Sequence, residues 1–129
     1  MKKFIINSIE ILNDKYEKLI IAESGRDLLI KLNYTVSEQG PDPVVILTIK
    51  NNLEQEVFTC LSRNSYSGTM QLNEKGSIIC SIPKLPLLAG IYTVDICLKH
   101  GYDVTFGYED AFKLEVELGD FFGTGKINR

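Results

Sequence analysis

The sequence has no tryptophan and a single histidine, His100. His100 is therefore the only candidate base for a nucleophile at Cys60, Cys80 or Cys97, and nucleophilic catalysis needs base and nucleophile within hydrogen-bond reach. Cys97 is three residues from His100, which on an extended strand separates them by roughly 10 Å. A cysteine hydrolase is not expected. No two cysteines form a CxxC pair, and a four-ligand zinc site would have to gather all three with the one histidine. No metal or other cofactor is expected. The odd cysteine count argues against a disulfide framework. The thiols lie in apolar stretches and read as buried, reduced side chains in a reducing, cytoplasmic setting.

Other absences narrow the class further. No apolar run approaches the roughly 20 residues that span a bilayer. The opening Met1-Lys2-Lys3-Phe4-Ile5-Ile6 imitates a secretory signal but stops at Asn7-Ser8, too short for its apolar core. Basic residues are scattered, with no run longer than Lys2-Lys3, and net charge is −3. A nucleic-acid partner is disfavoured, because phosphate contacts need clustered Lys and Arg. Gly123-Thr124-Gly125-Lys126 resembles the end of a phosphate-binding loop. The spacing fails, because Asp120 stands where the leading glycine belongs and Ile127 where Ser or Thr would hold magnesium. Helical periodicity is missing except for a weak trace between Asn13 and Ile21, which reads equally well as extended chain.

What is present is a series of short β-rich runs within one 129-residue domain, residues 1–129. Ser8 to Leu12 is the first strand. In the second, Leu28, Ile30, Leu32, Tyr34 and Val36 fall on one face and Lys31, Asn33 and Thr35 on the other. Val44 to Lys50 reads as a central strand, and Asn51-Asn52 turns the chain into Glu56 to Leu61. Arg63 to Asn73 reads as a long loop and Gly76 to Ile82 as a strand. In Ile91 to His100, Tyr92, Val94, Ile96 and Leu98 face one way, and Thr93, Asp95, Cys97 and Lys99 the other. Gly101 to Gly107 reads as a turn and Ala111 to Glu117 as the last strand. The pattern predicts an all-β, immunoglobulin-like antiparallel sandwich of about eight strands. Tyr92 is expected to point inward and bond a loop backbone through its hydroxyl. Glu109-Asp110 reads as solvated surface.

The second half carries a further pattern. Leu85-Pro86-Leu87-Leu88-Ala89-Gly90-Ile91-Tyr92-Thr93-Val94 leads to Leu98-Lys99-His100, then to Tyr108-Glu109-Asp110-Ala111-Phe112 and Asp120-Phe121-Phe122-Gly123-Thr124-Gly125. These segments resemble the C-terminal domain of Wzt, the ATP-binding subunit of ABC transporters that export O-antigen polysaccharide. The first half fits more loosely, through Ser24-Gly25-Arg26-Asp27-Leu28 and Val57-Phe58-Thr59. The resemblance implies a non-catalytic module that binds the exported polysaccharide, and a homodimer that exchanges its C-terminal strand, Ala111 to Glu117. It implies transporter ATPase and permease subunits as partners and a place at the cytoplasmic side of the inner membrane. The nucleotide-binding domain usual in the family is not in this sequence. A rival reading is a dimerisation or docking unit, for the transporter or for a chain-terminating glycosyltransferase, that touches no glycan.

Hydroxyl-rich polymers are held by planar hydrogen-bonding side chains beside an aromatic surface. The outward rows offer Lys31 and Asn33 from the second strand and Thr93, Asp95 and Lys99 from the strand that starts at Ile91. These five are the expected contacts if the two strands share a sheet. Tyr66 and Tyr102 are the expected stacking aromatics, and Phe121-Phe122 either caps the sandwich or meets another chain.

Overall fold

The computed structural model describes residues 4–36, 40–41, 44–63, 69–70, 74–100 and 103–119. In chain order the strands are β1 (Phe4–Leu12), β2 (Lys18–Leu19), β3 (Ala22–Glu23), β4 (Leu28–Val36), β5 (Gly40–Pro41) and β6 (Val44–Lys50). They continue with β7 (Glu56–Arg63), β8 (Thr69–Met70), β9 (Lys75–Ile82), β10 (Gly90–His100) and β11 (Asp103–Glu117). One sheet has the order β2-β1-β4-β9 and the other β3-β11-β10-β6-β7, while β5 and β8 pair separately. The fold is an all-β sandwich, as the alternation predicts.

Alternation decides which side chains meet. Along β6, Val45, Leu47 and Ile49 are fully buried and their neighbours half-buried. Leu28, Ile30, Leu32 and Tyr34 from β4 join Ile78, Cys80 and Ile82 from β9. They pack in one cluster with Tyr92, Val94, Ile96 and Leu98 from β10 and Leu114 and Val116 from β11. Burial at this density supplies the stability of a chain without disulfides. Gly76 is a packing requirement. It pairs with Tyr34, and a Cβ there would lie 2.6 Å from the Tyr34 hydroxyl.

The chain changes sheets early. Lys18–Leu19 pairs with β1, and Ala22–Glu23 pairs in parallel with the end of β11. The Ser24 N–H donates to the Glu117 carbonyl at 2.8 Å and holds the crossing in place. The weak helical trace between Asn13 and Ile21 is therefore not a helix but a turn and an extended crossover. At the same end of the sandwich the 83–90 connection is tied down. Gly25 N–H donates to the Leu85 carbonyl, Leu85 N–H to the Arg26 carbonyl, and Lys84 N–H to the Asp27 carboxylate. Leu85 and Leu87 are buried there.

Within the single chain Ala111 to Glu117 pairs with β10. Two expectations are corrected. The 101–107 turn is largely strand, because β11 already begins at Asp103. Of the three thiols only Cys80 is buried. Cys60 lies on an edge strand and Cys97 faces outward, so both are half-buried, and none forms a disulfide.

Candidate functional site

The expected single polar face does not exist. Lys31 and Asn33 lie on β4 in the four-stranded sheet, whereas Thr93, Asp95 and Lys99 lie on β10 in the five-stranded sheet. Outward rows of two packed sheets point in opposite directions, so these five residues form two separate faces. Tyr66, Tyr102 and Phe121-Phe122 lie outside the described residues.

On the four-stranded face the polar groups satisfy one another. Asn33 donates both amide hydrogens within its sheet, to Ser8 Oγ at 2.8 Å and to Glu10 Oε1 at 2.9 Å. Lys18 pairs with Glu10 at 3.2 Å. The Asn33 amide and then Lys18 hold the Glu10 carboxyl below its ordinary value. Asn7 donates to Thr35 Oγ1 at 2.8 Å.

The five-stranded face is organised around a bulge. The β10–β11 register slips between Val94 and Ile96, so that Asp95 faces an irregular stretch of β11. Asp110 sits there with φ of 51°, a left-handed conformation that Asp tolerates better than most residues. Asp95 stabilises it from the neighbouring strand, because its Oδ1 accepts the Asp110 N–H at 2.8 Å. The other oxygen, Oδ2, pairs with Lys50 at 3.1 Å. Lys50 also meets Glu54 at 2.9 Å and Asp110 at 3.5 Å, although its side chain is only 13% exposed. Glu54 and then Asp95 raise the Lys50 pKa well above the usual lysine value, outweighing its partial desolvation.

The register extends this face sideways. Thr93 lies between Lys50 on β6 and Lys113 on β11, Asp95 beside Thr48, and Thr48 beside Thr59. Thr93 Oγ1 is buried without a hydrogen-bond partner among the described residues. Exposed Val57 and Leu61 on β7 add apolar surface.

Lys50 and Asp110 are the site residues that sequence reasoning missed. Lys50 closes an apolar run, and only its outward parity with Thr48 marked it. Asp110, read as plain surface, is bound to Asp95 through a bulge that strand spacing does not reveal. The expected inward Tyr92 is confirmed: it is buried, and its hydroxyl donates to the Leu88 carbonyl at 2.7 Å.

The Wzt C-terminal domain family model matches residues 1–127. The chain belongs to the Wzt C-terminal domain family. The crystal structure of a Wzt C-terminal domain superposes with a TM-score of 0.76 at 13% identity, covering 90% of this chain and 74% of that one. The family resemblance read from the 85–125 segment is thus correct, and it places the chain among the domains of O-antigen ABC transporters. The sandwich recurs in unrelated settings. A β-glucuronidase of glycoside hydrolase family 2 matches with a TM-score of 0.56 and 15% identity, covering 90% of this chain and 13% of that enzyme. The alkylpurine DNA glycosylase AlkC of Pseudomonas fluorescens matches with 0.56 and 8%, covering 90% and 31%. At such identities these two show a shared fold and nothing about chemistry. No curated protein matches the sequence. Among the described residues no helix is long and apolar enough to cross a membrane.

Proposed function

We propose that this Wzt C-terminal domain is a non-catalytic module that recognises O-antigen polysaccharide for its exporter. In this reading the glycan lies across the outer face of the five-stranded sheet. Thr93 is the observation that carries it. A buried hydroxyl without a partner costs stability, and this one lies beside half-exposed Lys50, with half-exposed Asp95 and Lys99 further along its own outer row. A sugar hydroxyl that reaches it would supply the missing hydrogen bond. Asp95 and Lys99 add a charged acceptor and donor on the same row, and Val57 and Leu61 suit the apolar faces of sugar rings. Asn33 and Lys31 on the opposite sheet are the poorer candidates, since among the described residues no buried unpartnered hydroxyl lies on that face.

The partners this reading implies are the exporter's ATPase and permease subunits at the cytoplasmic side of the inner membrane, and a second copy of the chain. An exchanged-strand homodimer would have to rebuild the β10–β11 register between two chains. Titration calorimetry against purified O-polysaccharides tests the function. Asp95→Asn keeps an oxygen for the Asp110 amide but removes the charge, and Lys99→Ala removes a donor. Each is expected to weaken binding by about three- to tenfold. Lys31→Ala, on the other face, is expected to leave it unchanged. If no glycan is retained by the wild-type domain, the docking reading takes its place.

A further inference from the structure

β7 is the outer strand of the five-stranded sheet and β9 the outer strand of the four-stranded sheet, and these two edges pack against each other along one open side of the sandwich. Each contributes an inward cysteine. Cys80 on β9 is fully buried, and half-buried Cys60 on β7 packs against the core cluster that contains it. Cys60 Sγ reaches across the seam to within 3.9 Å of the carbonyl of Ser81, the residue after Cys80. Burial pushes the Cys60 thiol pKa up, and the neighbouring Cys80 thiol offsets part of that rise. Cys97, by contrast, lies on the outer row of β10, opposite Ile46 and Gly107.

We propose that Cys60 and Cys80 are a redox-sensitive pair that a low-molecular-weight disulfide converts into an inter-sheet disulfide, joining β7 to β9. The partial exposure of Cys60 and the burial of Cys80 set the order of events. The Cys60 thiolate attacks one sulfur of the small disulfide, whose S–S bond breaks and releases one small thiol. The Cys80 thiol then loses its proton to solvent and attacks the Cys60 sulfur of the mixed disulfide, releasing the second small thiol. Two protein thiols are oxidised and one small disulfide is reduced to two thiols, so electrons and protons balance. The bond would close a ring containing residues 61–79, which includes the end of β7, β8 and most of β9. It would therefore tether the segment between these edges without touching the outer face of either sheet.

The test treats the folded 129-residue chain with oxidised glutathione, alkylates the remaining thiols under denaturing conditions, and weighs the product. The expected product is about 2 Da lighter than the reduced chain before alkylation and takes up one alkyl group, at Cys97. Peptide mapping should link Cys60 to Cys80, and dithiothreitol should restore all three thiols. Cys97→Ser should still form the bond, whereas Cys60→Ser should keep both remaining thiols reactive. Stable glutathione on Cys60, a disulfide between two chains, or three alkylatable thiols after treatment would each overturn the proposal.

Discussion

Two adjacent residues of β10 show how differently a polar atom can fare in this core. Tyr92 is buried on the inner face, and its hydroxyl donates to the Leu88 carbonyl at 2.7 Å, holding the 85–90 connection against the strand that follows it. Tyr92→Phe removes only that bond. It is expected to cost about 0.5–1.5 kcal/mol in urea unfolding, with the fold intact. Thr93, on the outer face, has the reverse problem, a buried hydroxyl with no partner among the described residues. Thr93→Val replaces it with a methyl group of similar size and is expected to stabilise the domain by about 1 kcal/mol. If the glycan uses that hydroxyl, the same variant binds more weakly in calorimetry while melting at a higher temperature. Stability and function would then pull in opposite directions at one atom.

At the scale of elements, two hairpins use one device. Between β1 and β2, Asn13 Oδ1 accepts the Lys15 and Glu17 N–H groups, its Nδ2 reaches Glu17 Oε1, and Tyr16 takes φ of 64°. Between β6 and β7, Asn51 Oδ1 accepts the Leu53 and Gln55 N–H groups, its Nδ2 reaches Gln55 Oε1, and Glu54 takes φ of 62°. The asparagine satisfies the turn's amides, and the fourth residue bears the left-handed strain. Asn13→Ala is expected to destabilise by about 1 kcal/mol. Tyr16→Gly, at a side chain 63% exposed, should stabilise by about 0.5–1 kcal/mol in thermal melts by relieving that strain. The β1–β4 pair also carries a pH dependence. Asn33, then Lys18, depress the Glu10 pKa in the folded state. Its contribution is therefore present above the ordinary carboxylate pKa and is lost as pH falls through the depressed folded value. Glu10→Gln is expected to narrow its stability gap to wild type as urea midpoints are followed down through pH 4 to 3.

For the whole molecule, the decisive fact is that β4 and β10 belong to opposite sheets. A glycan cannot bridge Asn33 and Asp95 on one face. An Asn33→Ala, Asp95→Ala double variant is therefore expected to bind no more weakly than Asp95→Ala alone. An affinity loss larger for the pair than for Asp95→Ala would place glycan contacts on the four-stranded face as well.

Strand identity and inward faces were legible in the sequence because both are local. Period-two alternation assigns Leu28, Ile30 and Leu32, or Val94 and Ile96, to a buried side without reference to any other strand. The family was legible too, in the segment from Leu85 onward, and the inward Tyr92 with it. The start of β11 was not, because glycines at 101 and 107 read as a turn although Gly107 pairs within the β10–β11 ladder. Sheet membership was not either. Alternation says which side of a strand is buried, but not which of two layers buries it, and that depends on crossovers between distant segments. The bulge at Asp95 and Asp110, and Lys50's place between them, arose only when three strands came into register. The same holds for Cys60 and Cys80, twenty positions apart in the chain. Alternation turned each of them inward, but only the packing of two sheet edges brought their thiols together.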